Sequence, residues 1–241
     1  MERKWWTLLA SCIAIFMLLL DVTIVNVALP SIERELGANF SDLQWVIDAY
    51  ALSLAAFVLA AGSLGDKVGR RLVFMLGLAI FTASSLACGL APDPLFLNVS
   101  RAAQGIGAAM MFGTSLALIA QEFQGRERGT ALGIWGATTA AAVSIGPLIG
   151  GVLVDALSWR WVFLVNVPIG VAAFTVARLR LRESRDPAAA GVDLRGVALL
   201  CPALFLLVYA LIRGNEEGWG RPRDFVAAGG PAPAPPEPAR A

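Results

Sequence analysis

Seven long apolar runs joined by short polar connections restrict the fold of this 241-residue chain more than any other feature. A helix needs about 20 mostly apolar residues to cross a hydrocarbon core of about 30 Å. The runs lack the alternation of apolar and polar residues that marks strands, which argues against a barrel. The sequence therefore predicts an all-α membrane protein. The predicted spans are approximately residues 6–29, 43–61, 72–91, 95–120, 130–154, 161–177 and 196–212.

Composition narrows the functions open to such a chain. Hydrophobic residues make up 57% and charged residues 15%, compared with about 45–50% and about 25% in soluble domains. The net charge of +1 provides no basic field, so no nucleic-acid partner is expected. Histidine is absent, which excludes a His-based triad and a His-containing metal site. Cys12, Cys88 and Cys201 are isolated within apolar runs, and no phosphate-binding ATPase loop occurs. We expect no metal, no cofactor and no enzymatic activity.

Arginine and lysine are divided unequally between the two sets of loops. Twelve lie in the set that includes the N-terminus and three in the other set. Because cytoplasmic loops carry the excess of positive charge, the N-terminus is predicted to be cytoplasmic. The start "MERKWW" resembles that of a signal peptide, but the run after it is too long and contains Asp21, so we expect a retained helix. The twelve are Arg3, Lys4, Lys67, Arg70, Arg71, Arg126, Arg128, Arg178, Arg180, Arg182, Arg185 and Arg195; the three are Arg34, Arg160 and Arg213.

The connection "GSLGDKVGRR", residues 62–71, is predicted to be a cytoplasmic turn between the second and third helices. Gly65 and Gly69 would allow the chain to reverse, since glycine tolerates positive φ. Asp66 does not fit a simple charged turn, because an acid adds nothing to the positive-inside signal. The segment resembles the loop signature G-x-L-x-D-[RK]-x-G-[RK]-[RK] of the major facilitator superfamily. The matching positions are Gly62, Leu64, Asp66, Lys67, Gly69, Arg70 and Arg71.

Further matches follow in the order typical of that superfamily, over roughly residues 6–220. "LDVTIVNVALP" at the end of helix one and "WRWVFLVNVPIG" at residues 159–170 resemble the fourteen-helix drug/proton antiporter branch. "LNVSRAAQGIGAA" resembles the superfamily's helix-four motif, and "GIWGATTAAAVSIGPLIGG" resembles the antiporter motif of helix five. The motif positions are Arg101, Gln104, Gly105 and Gly107 in helix four, and Gly146, Pro147, Gly150 and Gly151 in helix five.

The resemblance implies a six-helix N-terminal major-facilitator bundle followed by a seventh, linker helix. We expect residues 1–182 to form the six-helix transporter half, residues 183–213 the cytoplasmic linker and seventh helix, and residues 214–241 a disordered Pro/Ala-rich tail. Transporters of this kind have two repeats around a midplane site. The second half is missing from this chain, so the sequence predicts a truncated form that is inactive alone.

Asp21 and Arg101 are the candidate proton-coupling residues. An acid at membrane depth costs about 2.5–3.5 kcal/mol and usually faces the bundle interior. Burial penalises its charged form, so it can bind and release a proton. Gln104 and Gly105 lie on the same helix face as Arg101. We hypothesise that Arg101 approaches Asp21 or backbone carbonyls and that protonation of Asp21 loosens this contact. The alternatives are a structural partnership for Asp21 and snorkelling of Arg101 to the interface.

The remaining motifs suggest gating and packing roles. The resemblance implies that Asp66 and its basic neighbours latch the cytoplasmic side, partly against a helix N-terminus of the second half. Gly146 and Gly150 form a small-residue face that allows close helix approach, and Pro147 permits a kink. The resemblance implies that this region controls leak and conformational change, and general helix packing is the alternative.

The predicted function is proton-coupled export of drugs or other small amphipathic solutes across the cell membrane. Its expected partners are protons, a small-molecule substrate and membrane lipids. Two alternatives stay open on the sequence alone: export of a specific metabolite or antibiotic, and a membrane fragment that does not transport.

Overall fold

A computed structural model describes residues 2–185 continuously, together with residues 199, 202, 203 and 205–207. The residues described between 199 and 207 are helical, but the predicted seventh span as a whole and the tail lie outside the described residues. The predicted divisions at residues 183 and 214 therefore stay predictions. Within the described part, the chain contains only helices joined by short turns, which confirms the predicted all-α class.

Among the described residues, six spans are long and apolar enough to cross a membrane. Two consecutive helices, α6 and α7, form the sixth span and meet at Val165. Most helices exceed the about 20 residues that a bilayer requires, so their polar ends extend beyond the apolar core. The helices are α1 (Arg3–Leu36), α2 (Phe40–Val68), α3 (Arg70–Gly89), α4 (Pro94–Glu122), α5 (Gly125–Ala156), α6 (Trp161–Leu164) and α7 (Asn166–Arg180).

Local chemistry explains where the helices begin and end. The Asn39 side chain accepts a hydrogen bond from the Asp42 amide, and the Asp42 carboxylate accepts one from the Asn39 amide, which is a capping box at the start of α2. The Asp93 side chain caps α4, whose first residue is Pro94. Helix α1 ends at Gly37, whose φ of 63° favours glycine.

The motif segment at residues 62–71 is not the open turn that the sequence predicts. Helix α2 continues to Val68 and α3 begins at Arg70, which leaves only Gly69 between them. Gly69 has φ 139° and makes the reversal alone. Gly65 is helical instead, and a Cβ on it would lie 2.7 Å from the Thr114 Cγ2 atom. Glycine at position 65 therefore allows α2 to pack closely against α4, and it does not form a turn.

Helix α1 lies at the centre of the bundle and packs against α5, α4 and α7, while α4 also packs along α2 and α3. One buried cluster around Leu18, Phe74 and Phe81 fills one end of the bundle. A second around Ile24, Trp159 and Phe163 fills the other end. The central segment of α1 between these clusters carries Asp21.

Candidate functional site

Asp21 is fully buried in the interior of the bundle, although the residues on either side of it along α1 are apolar. Two neighbouring helices, α4 and α7, supply the side chains that hydrogen-bond it, so its carboxylate does not face lipid. A buried carboxylate is tolerated only when it is paired and hydrogen-bonded. The geometry around Asp21 meets both conditions.

Arg101 of α4 is the ionic partner of Asp21. Its Nη1 donates to Asp21 Oδ2 and, over 2.7 Å, to Gln104 Oε1. Its Nε donates to the Val46 carbonyl oxygen over 2.9 Å. The guanidinium also lies 4.2 Å from the centre of the Tyr50 ring, which adds a cation–π contact. Arg101 thus contacts both types of partner considered for it, the acid and a backbone carbonyl, and does not extend to the interface.

Gln104 links the ion pair to α3. Its Nε2 donates to Asp21 Oδ1 over 2.9 Å and to the Ser85 hydroxyl over 2.7 Å. Its Oε1 accepts from Arg101 and faces the Cys88 thiol at 3.7 Å. Both ends of this amide are therefore engaged, and its orientation is determined by its partners.

Asn166 and Ser85 complete the cluster, and sequence reasoning did not single out either of them. Asn166 Nδ2 lies 3.3 Å from Asp21 Oδ1 and 3.3 Å from Ser85 Oγ. A signal for Asn166 was available, because it is a polar residue inside an apolar span. Ser85 had no such signal, since serine is common in membrane helices and its partners come from other helices.

Gly105 provides the close approach that this geometry requires. A Cβ there would overlap the Tyr50 carbonyl oxygen and lie 2.9 Å from the Ser53 Cβ atom. The backbones of α2 and α4 can therefore lie close together, which brings Arg101 within reach of the Val46 carbonyl. Gly105 and Arg101 of the helix-four motif therefore both contribute to the contact between α2 and α4.

An apolar cavity of about 260 Å³ borders the ion pair. It lies between α1, α2 and α4, and Arg101 and Tyr50 are the polar side chains in its wall. A cavity with apolar walls and few polar groups suits a small amphipathic molecule. The remaining lining residues are Leu18, Leu19, Val22, Val25, Ile47, Ala51, Leu54 and Phe112.

The residues of the loop signature form a separate cluster at one end of the bundle. Asp66 pairs with Arg70 one turn later, with 2.8 Å between Asp66 Oδ1 and Arg70 Nη2. Arg71 donates to the Arg178 carbonyl oxygen over 2.6 Å. Lys67 lies in the last turn of α2. Gly62 packs on α4, since a Cβ there would lie 3.6 Å from the Gly113 carbonyl oxygen.

Glu183, which no sequence motif singled out, closes this cluster. Its carboxylate accepts hydrogen bonds from the backbone amides of Arg71 and Leu72, over 3.1 and 3.2 Å. These amides are free donors at the start of α3, where the helix carries partial positive charge. A Cβ at Gly69 would collide with this carboxylate. The acid at the N-terminus of α3 is thus Glu183. The expected contact of Asp66 with a helix N-terminus of a second half stays a prediction.

The helix-five motif lies against α1 close to Asp21. A Cβ on Gly146 would overlap the Thr23 side chain, and one on Gly150 would lie 2.9 Å from Ile24 Cγ1. A Cβ on Gly151 would have no heavy atom within 4 Å, so this glycine faces away from the contact. Helix α5 continues through Pro147. The structure therefore brings the helix-one, helix-four and helix-five motifs together and leaves the loop signature apart.

Comparison with known proteins agrees with these motifs. The Major Facilitator Superfamily profile matches residues 11–227. The chain is 42% identical over 214 residues to the multidrug resistance protein Stp of Mycobacterium tuberculosis, a match that covers 88% of this chain and 40% of that protein. It is 41% identical to the puromycin resistance protein pur8 of Streptomyces alboniger, with coverage of 91% and 44%. The chain thus spans less than half the length of these curated relatives.

Solved structures show the same fold. A peptide transporter POT superposes with a TM-score of 0.67 at 12% identity, covering 92% of this chain and 51% of that one. A bacterial homologue of the human lysosomal transporter Spinster superposes with a TM-score of 0.61 at 21% identity, covering 79% and 45%. With six apolar spans and a profile match over most of its length, this multi-pass membrane chain belongs to the Major Facilitator Superfamily.

Proposed function

We propose that the chain forms the N-terminal half of a transporter that exports drugs or other small amphipathic solutes across the cell membrane in exchange for protons. The observation that carries this proposal is the buried Asp21–Arg101 ion pair beside an apolar cavity. Asp21 is the proton carrier, and Arg101 is the partner whose attraction depends on whether Asp21 is charged.

The coupling follows from the electrostatics of a buried pair. When a proton neutralises Asp21, the ionic attraction across α1 and α4 is lost, while Arg101 keeps its bonds to Gln104 and to the Val46 carbonyl. The guanidinium is then held by α2 and α4 alone, and it borders the cavity. Binding of a proton therefore weakens the contact between α1 and α4, which is a differential interaction that can shift a conformational equilibrium.

The relatives support export of this kind. Stp is named a multidrug resistance protein, and the tetracenomycin C protein of Streptomyces glaucescens, 39% identical over 229 residues, is named a resistance and export protein. The cavity beside Asp21 is walled here by α1, α2 and α4. We infer that a second transporter half supplies the opposite wall, because such carriers place their site between two repeats.

The N-terminus is proposed to be cytoplasmic. Contacts support a common end for the positively charged loops: Lys4 binds Glu127 over 2.9 Å, Arg180 lies over the Trp6 ring, and Arg71 binds the Arg178 carbonyl. The start of α1, the α2–α3 turn, the start of α5 and the end of α7 therefore share one end. By the positive-inside rule this end faces the cytoplasm.

The loop signature and the helix-five motif are proposed to act in the conformational change of the transporter. The loop-signature cluster, with Asp66, Arg70 and Arg71, serves as the cytoplasmic gate by joining α2, α3 and the end of α7. The helix-five glycines, Gly146 and Gly150, serve as the contact along which α5 transmits movement to α1.

Efflux of a fluorescent cationic dye from pump-deficient cells tests the proposal. The chain would be assayed alone and as a chimera in which it replaces the matching N-terminal part of the Mycobacterium tuberculosis Stp protein. In the chimera, Asp21→Asn should abolish efflux that depends on the proton gradient, whereas Asp21→Glu should retain part of it. Asp155→Asn, at an exposed aspartate near the end of α5, is the matched control. Undiminished pH-dependent efflux in Asp21→Asn would refute the proposed role of Asp21.

Export of one antibiotic or metabolite is the second candidate. It is favoured by the tetracenomycin C protein and by a probable actinorhodin transporter of Streptomyces coelicolor, 39% identical over 221 residues. A competition panel distinguishes the two: a broad drug exporter is inhibited by many unrelated cationic compounds, and a dedicated exporter by one chemical family. Absence of efflux from the chain alone, together with activity of the chimera, would indicate that the 241 residues need a second half.

A further inference from the structure

The amide of Asn166, directly beside the proposed proton carrier, has a buried oxygen with no hydrogen-bond partner among the described residues. The side chain is fully buried, and its Nδ2 faces Asp21 Oδ1 and Ser85 Oγ at 3.3 Å each. Its Oδ1 accepts no hydrogen bond from the described part of the chain. Buried acceptors in native proteins are nearly always satisfied, so an exception next to a functional carboxyl calls for a physical explanation.

Every neighbour that hydrogen-bonds Asp21 in this state does so as a donor. Arg101, Gln104 and Asn166 all offer N–H groups to the carboxylate oxygens. A protonated carboxyl becomes a donor itself and needs an acceptor. The oxygen of Gln104 cannot serve, because Arg101 and Cys88 occupy it. The oxygen of Asn166 is the unused acceptor within the cluster.

We propose that Asn166 is a positioning residue that matches both protonation states of Asp21. It donates through Nδ2 to the charged carboxylate, and after a half-turn of its amide it accepts through Oδ1 from the protonated carboxyl. A hydronium ion transfers its proton to Asp21 Oδ1 and becomes water, and a water molecule accepts the proton when Asp21 loses it, with no other covalent change. This inference rests on the proposed role of Asp21 as the proton carrier.

The half-turn is possible because the two ends of an amide have nearly the same size and shape. In either orientation one end faces Asp21 and Ser85 and the other end faces a site without a partner among the described residues. Shape therefore does not separate the two orientations. A charged Asp21 favours the orientation that presents Nδ2 to it, and a protonated Asp21 permits the one that presents Oδ1. Ser85 fits both, since a hydroxyl can accept from Nδ2 or donate to Oδ1.

The charged and titratable groups facing Asp21 come from three helices. They are Arg101 of α4, Tyr50 of α2 and Cys88 of α3. Helix α7 contributes the neutral amide of Asn166, and α5 contributes the glycine contact at Thr23. Asn166 is the first residue of α7, where that helix meets α6. Through it, the protonation state of Asp21 in α1 determines the hydrogen bond between α1 and the sixth span.

Infrared difference spectra of the full chain in lipid nanodiscs, recorded between acidic and alkaline buffer, test this inference. The C=O stretch of the protonated carboxyl is assigned to Asp21 by its loss in Asp21→Asn. Asn166→Leu should shift that stretch to higher frequency, because the carboxyl O–H then has no acceptor. Asn166→Thr, whose hydroxyl both donates and accepts, should keep the stretch near its original position.

Asn98→Leu is the matched control. Asn98 also has a donating Nδ2, 3.3 Å from the Asp42 carbonyl oxygen, and a buried Oδ1 without a partner in the described part of the chain, but it lies away from Asp21. Its replacement should leave the Asp21 stretch unchanged. A second measurement uses the unaltered chain, so it does not depend on whether a variant at position 166 folds. With asparagine labelled at the side-chain carbonyl, one amide band should shift over the same pH range in which the Asp21 carboxyl band appears.

The outcomes separate the two proposals. An unchanged Asp21 stretch in Asn166→Leu, or a labelled amide band that does not move with pH, overturns the Asn166 inference alone. If Asp21→Asn removes no carboxyl band, Asp21 takes up no proton, and the proposed function fails together with this inference.

Discussion

Two carboxylate–guanidinium pairs, in different surroundings, organise this chain. The side chains of Asp21 and Arg101 are 0% and 2% exposed, whereas those of Asp66 and Arg70 are 40% and 20% exposed. The first pair joins α1 to α4 inside the bundle, and the second joins the last turn of α2 to the start of α3. The charged groups are alike, so burial accounts for the difference between them.

Burial makes the inner pair sensitive to the loss of a partner. A buried charge left without its partner cannot be solvated, while an exposed one exchanges its partner for water and salt. Under the proposed function, one proton on Asp21 is therefore enough to remove the ionic attraction of the inner pair. The outer pair, between Asp66 and Arg70, contributes little to stability by itself because water and salt can replace either partner.

The largest expected effect comes from removing the partner of the inner acid. Arg101→Ala should lower the free energy of unfolding by about 3–5 kcal/mol, because it leaves Asp21 buried and unpaired. Unfolding in bicelles, followed by tryptophan fluorescence, measures the change. The double variant Asp21→Asn with Arg101→Gln should recover most of the loss, since both charges are then absent. A loss as large in the double variant as in Arg101→Ala would contradict the pairing.

Overfilling the contact beside the inner pair should have the next largest effect. Gly146→Val forces a side chain into the space of Thr23, and overpacking of this kind costs about 1–3 kcal/mol. The same unfolding measurement applies. Gly151→Val is the control on the same helix, because nothing lies near its Cβ position. Equal losses in the two variants would show that helix propensity, and not contact with α1, is responsible.

Removing the acid that caps α3 should have a smaller effect. Glu183→Ala deprives the Arg71 and Leu72 amides of their acceptor, and loss of a cap costs about 0.5–2 kcal/mol. Hydrogen exchange at the first turn of α3 should report the loss locally. Arg182→Ala, at the exposed neighbouring position, should leave exchange at these amides unchanged.

Breaking the outer pair should have the smallest effect on stability. Arg70→Ala should change the free energy of unfolding by about 0.2–1 kcal/mol, because the pair is partly exposed to solvent. The difference from the unaltered chain should shrink as salt is raised. A loss comparable to that of Arg101→Ala would erase the contrast between the two pairs.

The sequence predicted the spans and the superfamily because both depend on local patterns. Apolar length and short motifs are read along the chain, and six spans and the family are confirmed. The end of α2 was predicted wrongly, since glycines and charges at residues 62–71 are typical of turns. Gly65 instead allows close contact with Thr114, which is distant in the sequence, so no local pattern indicates its role.

The components of the site were harder to predict because they come from different helices. Asp21 and Arg101 were identified by the cost of burying charge, which a sequence reveals. Ser85, Asn166 and Glu183 owe their positions to tertiary packing, and an isolated serine, asparagine or glutamate carries little signal in a single sequence. Their partners became evident only from interatomic distances.

The glycine contact between α5 and α1 couples the packing of α5 to the position of the buried acid. Gly146 and Gly150 touch Thr23 and Ile24, which follow Asp21 within one helical turn. A larger side chain at either glycine is expected to displace Asp21, although neither glycine lines the cavity beside Arg101.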